Sequence, residues 1–167
     1  KVHRMYQEKN YGCDPSEYIS QKWAFSMVDK CIVLEDDDVP SVSFFTFCKE
    51  MLDKYEQDTR ITMIAGFNNE EITPDVPYDY FFASTFSIWG WASWKRVIDQ
   101  WDEHYTFLED KFNMQQLEQL IKERKFRKDF IYMCHRHKEN NKAYYETIFH
   151  ASMLFNSGLA IVPTRNI

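Results

Sequence analysis

Ile32-Val33-Leu34-Glu35-Asp36-Asp37-Asp38-Val39-Pro40 is the stretch that decides how this chain folds. The apolar run 31–34 is too short for a helix and stops abruptly at four acids, the pattern of a buried parallel strand whose carboxyl end reaches a surface. Four consecutive carboxylates repel one another. Their place at a strand mouth points to a cation that neutralises them, to a solvated acidic turn, or to side chains capping the helix after Pro40. Hard oxygen donors of this kind suit magnesium, manganese or calcium rather than zinc. A calcium EF-hand is disfavoured, because Pro40 stands where that loop needs glycine, and Thr46 or Phe47 where it needs glutamate.

Outward from this stretch, Phe44, Phe47, Cys48, Met51, Leu52 and Tyr55 recur at intervals of three and four, which predicts an amphipathic helix against a sheet. Residues 61–65 read as a second strand, closed by Gly66 and the pair Asn68-Asn69. Strand, helix, strand in this order implies a right-handed parallel crossover. Upstream, the apolar spacing over 16–28 predicts a helix with Asp14 and Ser16 as caps. Downstream the expected elements are a strand at 80–86, a short helix at 92–101, helices at 110–123, 126–139 and 145–156, and a last strand at 159–162. The expected fold is α/β, an open, mostly parallel sheet flanked by helices. In such sheets ligands bind beyond the carboxyl ends of strands, where the acids after Leu34 lie.

The 167 residues match one domain, and a hydrophobic share of 44% is enough for a core. A net charge of -6 with no concentrated basic surface argues against nucleic acid as a partner. The basic stretch 122–142 is interrupted by Glu123, Asp129 and Glu139 and reads as a solvated helix face. Cys13, Cys31, Cys48 and Cys134 form no CxxC pair, which fits a reduced, cytoplasmic compartment. No apolar run approaches the ~18 residues of a membrane span, and no signal peptide opens the chain. Because Lys1 rather than methionine comes first and 159–167 reads as a strand running off the end, a piece of a longer chain is expected.

Other residues that could carry chemistry have plainer readings beside them. Trp89, Trp91 and Trp94 could stack on sugar rings or fill a core. Trp91 and Trp94, three apart at a helix start, favour packing, and Trp89 beside Gly90 favours ligand contact. Glu146 at a helix start could simply complement the helix dipole, and His150 one turn later could orient it. Cys134-His135-Arg136-His137 invites zinc, but no second ligand pair has suitable spacing and adjacent helical positions point apart. No Gly-x-Ser-x-Gly elbow and no Walker loop is present.

The run from Ile32 to Pro40, with Phe44-Phe45 and the helix to Tyr55, resembles the Asp-x-Asp region of glycosyltransferases of the GT-A fold. It is especially similar to bacterial nucleotide-sugar transferases labelled hemolytic-protein-like, and more distantly to the N-acetylglucosaminyltransferases of N-glycan synthesis. Asn10-Tyr11-Gly12-Cys13 resembles that family's Asn-x-Gly nucleotide loop, and Trp89-Gly90-Trp91-Ala92-Ser93-Trp94-Lys95 its Trp-Gly-Trp-Ala-Thr-Trp-Lys segment. Tyr145-Glu146, with Gly158-Leu159-Ala160-Ile161-Val162-Pro163 beyond it, resembles the Trp-Asp segment and following strand, with Glu146 one methylene longer than the usual aspartate.

The resemblance covers nearly the whole chain and implies a single GT-A-like catalytic domain over 1–167 that lacks the family's first strand and helix. It implies a divalent metal, Mn2+ or Mg2+, held by Asp37, with Asp36 and Asp38 as an alternative register. Asn10, Gly12, Glu35 and Asp36 would bind the nucleotide-sugar donor, and Trp89, Gly90 and Trp91 a saccharide or glycolipid acceptor. Glu146 would be the catalytic base in an inverting transfer serving bacterial polysaccharide biosynthesis at the inner face of the membrane. Apart from the resemblance, Asp102, Glu103, Glu109 and Asp110 lie in a loop that could fold over the site, which makes Asp110 the runner-up base. The rivals are a sugar-phosphate nucleotidyltransferase, which needs a Gly-rich basic loop that the visible N-terminus lacks, and a non-catalytic saccharide-binding relative.

Overall fold

A computed structural model describes residues 1–167. In chain order the elements are α1 (Cys13–Met27), β1 (Lys30–Val33), α2 (Val42–Lys54), β2 (Ile61–Ala65), β3 (Tyr80–Ala83), β4 (Trp91–Trp94), α3 (Lys95–Ile98), a 3-10 turn (Thr106–Glu109), α4 (Lys111–Leu120), α5 (Arg124–Glu139), α6 (Tyr145–Phe155) and β5 (Leu159–Pro163). The strands form one open sheet in the order β1-β4-β2-β5-β3, flanked by helices. The α/β class expected from the sequence is present, but the sheet is mixed rather than mostly parallel. Only β2 and β5 pair in parallel, whereas β4 runs antiparallel to both β1 and β2, and β3 antiparallel to β5.

Two of the three antiparallel pairings trace to Trp91-Ala92-Ser93-Trp94, whose three-residue tryptophan spacing reads as a helix start. In the structure it is a fully buried strand, and only Lys95–Ile98 is helical. Spacing by an odd number places two strand residues on opposite faces. Trp91 accordingly packs on Phe25 of α1 and Phe149 of α6, while the Trp94 indole N–H donates to the Leu52 carbonyl of α2. A tryptophan on each face thus pins the strand between two helical layers. β1 is correspondingly a half-buried edge strand instead of a buried parallel one, and β4 separates it from β2.

The core's main feature is a run of stacked rings. Phe25, Trp91, Tyr145, Trp101 and Tyr18 follow one another at centroid separations of 6.4, 6.3, 6.3 and 5.9 Å, all within 27° of parallel. Most basic residues of α5 face solvent, Arg127 and Lys138 are half-buried, and Phe130, Cys134 and His137 turn inward. His137 stacks on Tyr144 at 3.7 Å and its Nδ1 lies 2.9 Å from the Thr147 hydroxyl, so this stretch packs the core. No helix is long and apolar enough to cross a membrane.

His150 lies on α6 among Phe86, Phe126 and Phe130, at centroid distances of 5.5, 5.5 and 5.1 Å. It packs against these rings instead of orienting Glu146. Burial favours the neutral imidazole and pulls its pKa from 6.5 down to about 4. Between those values the unfolded chain binds a proton that the native state refuses, so this group's contribution makes stability fall as pH is lowered through that window. The loss is on the order of 3 kcal/mol. Urea unfolding of the wild type and His150→Phe at pH 7 and pH 4.5 should show a markedly smaller acid loss in the variant. Equal losses would mean that His150 is protonated in the native state.

Candidate functional site

β1 and β2 point the same way, since both oppose β4, and their carboxyl ends open onto a cleft of about 370 Å³. Leu34 continues from β1, Gly66 from β2 and Asn166 from β5, and Gly90 leads into β4. All four residues line the cleft, together with Asp37 and Trp89. The floor is tight. The Gly66 N–H donates to the Gly90 carbonyl at 2.8 Å, and a Cβ at Gly66 would sit 2.6 Å from the Phe44 ring. Only glycine lets Phe44 of α2 close beneath that strand end.

Gly90 has φ +63°, a left-handed conformation that glycine adopts without strain, and this bend sends its neighbours in opposite directions. Trp89 is 56% exposed and meets Phe67 edge-on at 4.7 Å at the cleft wall. Trp91 is 0% exposed, stacked between Phe25 and Tyr145. The expectation that Trp91 contacts an acceptor is therefore corrected: its side chain belongs to the core, and of the two tryptophans beside Gly90 only Trp89 presents a face.

The four acids divide their roles within one turn. The Asp38 N–H donates to the Glu35 carbonyl at 3.3 Å, and the Asp38 carboxylate accepts from the Glu35 N–H at 2.9 Å. Asp36 and Asp37 project outward at the exposed tip. Glu35 turns inward and accepts a 3.1 Å hydrogen bond from the Tyr145 hydroxyl. Burial raises the Glu35 pKa, the Glu17 carboxylate adds to the rise, and the Tyr145 hydrogen bond opposes it.

Glu146 is in the first turn of α6, immediately after the tyrosine that holds Glu35. Its carboxyl is partly buried and enters no salt bridge. Burial is the largest cause lifting its pKa, with Asp14, Glu17 and Glu35 adding repulsion. The acids whose charge bears on Glu146 thus come from two other elements, Asp14 and Glu17 from α1 and Glu35 from the acid turn. In the sequence Asp14 carries a signal only as a helix cap and Glu17 only as an acid at the start of the helix predicted over 16–28, and nothing in the spacing ties either to Glu35 or Glu146.

The 10–12 loop leads into α1. The Gly12 N–H donates to Asn10 Oδ1 at 2.8 Å, Gly12 takes φ +89°, and a Cβ there would meet open space. Asp110, the alternative base, has another task. It is the N-cap of α4, and its Oδ1 accepts from the Phe112 and Asn113 N–H groups at 2.7 and 3.3 Å. That role satisfies helix-end donors and explains an acid at this position without catalysis.

No three His, Cys, Asp or Glu side chains converge as a metal-holding group. Asp37 fits a narrower task, since it is an exposed carboxylate that lines the cleft and Asp36 does not. One or two carboxylates are what magnesium commonly takes from a protein when substrate phosphates and water complete its shell. Compared with protein-family models and with curated proteins, the chain has no match.

Removing the Tyr145 hydroxyl deletes a hydrogen bond that favours ionised Glu35. Tyr145→Phe should raise the Glu35 pKa further, as read from the carboxyl carbon shifts in an NMR pH titration. It should also lower stability by about 1 kcal/mol. An unmoved Glu35 titration would show that the hydroxyl does not support the carboxylate.

Proposed function

We propose that this chain is a GT-A-like glycosyltransferase that moves a sugar from a nucleotide-diphosphate donor to a saccharide acceptor with inversion. One observation carries the reading. Glu35 and the Tyr145-Glu146 pair, 110 residues apart across the hydrogen bond, meet at the carboxyl end of the sheet, and Asp37 of the same acid turn lines a cleft beside exposed Trp89. Sugar transfer needs a proton acceptor, a holder for the diphosphate and a face for the sugar, and these residues supply one candidate for each.

The acceptor hydroxyl must lose its proton as it attacks the anomeric carbon. Glu146 suits this step, because burial and the neighbouring acids raise its proton affinity and it enters no salt bridge. Displacement from the face opposite the leaving group requires only one such base, which is the basis for inversion. Trp89 offers an apolar ring face to the acceptor. On the donor side, Glu35, Asp36 and the Asn10-to-Gly12 loop are assigned to the nucleoside. Asp37 would hold Mn2+ or Mg2+, and such a cation, when bound, stabilises the charge that develops on the departing diphosphate. The second reading is a saccharide binder on the same scaffold without turnover, which the exposed Trp89 face would equally serve.

Calorimetric titration of UDP and GDP, with and without manganese, into the wild type and Asp37→Asn separates the two. Transferase function predicts metal-dependent binding of one nucleotide, lost in the variant. Glu146→Gln should retain that binding while kcat falls by about 10²–10⁴-fold. The wild-type kcat/KM should decline on the acid side above the ordinary carboxylate range, following the raised Glu146 pKa, and this limb should vanish in Glu146→Gln. Metal-independent saccharide binding with no nucleotide binding would replace the transferase reading with the second.

A further inference from the structure

A second and larger cleft, about 750 Å³, adjoins the first across Ile167, which lines both. Phe47 and Glu50 of α2 form one wall, Tyr78 and Asp79 of the 72–79 loop another, and Arg165 beyond β5 the end. The loop is tied down rather than draped. The Thr73 N–H donates to the Thr164 carbonyl and the Thr164 N–H to the Asp79 carbonyl, both at 2.9 Å, while Ile72 and Arg165 form an antiparallel bridge. Asn68, itself buried, clamps the base by donating to Thr73 Oγ1 at 2.9 Å and to the Pro163 carbonyl at 3.0 Å. Pro74 and Pro77 stiffen the rim. The cavity is therefore formed before any ligand arrives.

The lining chemistry is particular. Tyr78 is 73% exposed in a wall where a packed ring would be cheaper to hide. Glu50, Asp79 and Arg165 enter no salt bridge, either with one another or with the rest of the chain. Carboxylates accept hydrogen bonds from paired hydroxyls, a guanidinium donates to hydroxyl and ring oxygens, and an aromatic face covers the apolar face of a pyranose. A nucleotide would meet two carboxylates against one cation. A peptide adding a strand would need the free edge of β3, and no residue of β3 lines this cleft.

We infer that this cleft is an extended subsite for a neutral oligosaccharide, whose reacting end lies beside Asp37 and Trp89 and whose further units cross Ile167 to reach Tyr78 and Arg165. The assignment of the reacting end rests on the transferase reading, whereas the subsite itself can be tested without it.

Calorimetric titration with chito-, cello- and malto-oligosaccharides of two and six units, without nucleotide or metal, provides that test. At least one hexaose should bind about tenfold or more tightly than its disaccharide. Tyr78→Ala and Arg165→Ala change exposed side chains, so folding should persist. Each should weaken hexaose binding about tenfold and leave disaccharide affinity unchanged. Absence of hexaose binding, affinity independent of length, or hexaose affinity unchanged in both variants would each overturn the subsite. Length-dependent binding in a chain that ignores nucleotides would keep the subsite and remove the transferase reading. Metal-dependent nucleotide binding without length dependence would do the reverse.

Discussion

The Tyr145 ring is fully buried between Trp91 and Trp101, and its hydroxyl reaches Glu35. This one side chain joins the core to the acid turn. Each aromatic pair contributes about 0.5–1.5 kcal/mol beyond the area it buries, so a tyrosine held on both faces has little freedom to swing its hydroxyl away. The position of Glu35 is thereby set by core packing, and Glu146, the next residue along α6, takes its place from the same anchor. The arrangement has a cost. The indole nitrogens of Trp91 and Trp101 are buried without partners, each penalised by about 1–3 kcal/mol.

Electrostatics pulls the other way. Asp14 and Glu17 of α1 and Glu35 of the acid turn add their negative charge to burial in raising the Glu146 pKa. An ordinary surface would let such carboxyls disperse into water. Here the Tyr145 hydroxyl and the turn closed by Asp38 hold Glu35 in place, and burial together with neighbouring negative charge raises the pKa of both Glu35 and Glu146. Asp37 lies at the exposed tip of the same turn and lines the cleft, while Glu35 at its root turns inward to Tyr145.

Much of this was legible in the sequence. The helix and strand periods located nearly every element, and the acids after Leu34 marked the end of the sheet where the cleft opens. What periodicity could not carry was direction and partnership. Trp91 and Trp94, three apart, fit a helix face and equally fit the two faces of a strand, and a four-residue stretch has too few positions to separate the readings. The roles of Asp14, Glu17 and Tyr145 depend on contacts between α1, the acid turn and α6, which no local pattern encodes. Asp110 looked like a free acid because a cap and a base use the same side chain.

The reversal of β4 is also what completes the cleft. A strand that runs antiparallel to its neighbours begins where they end, so the residues leading into β4 lie beside the carboxyl ends of β1 and β2. Had Trp91–Trp94 been parallel, the chain entering it would have met the opposite edge of the sheet, and Trp89 could not face Asp37 across a shared cavity. Gly90 then turns the backbone so that Trp91 enters the ring stack as Trp89 stays outside it. The mixed topology that departs from a mostly parallel sheet is therefore the feature that puts an exposed aromatic face beside the acid turn.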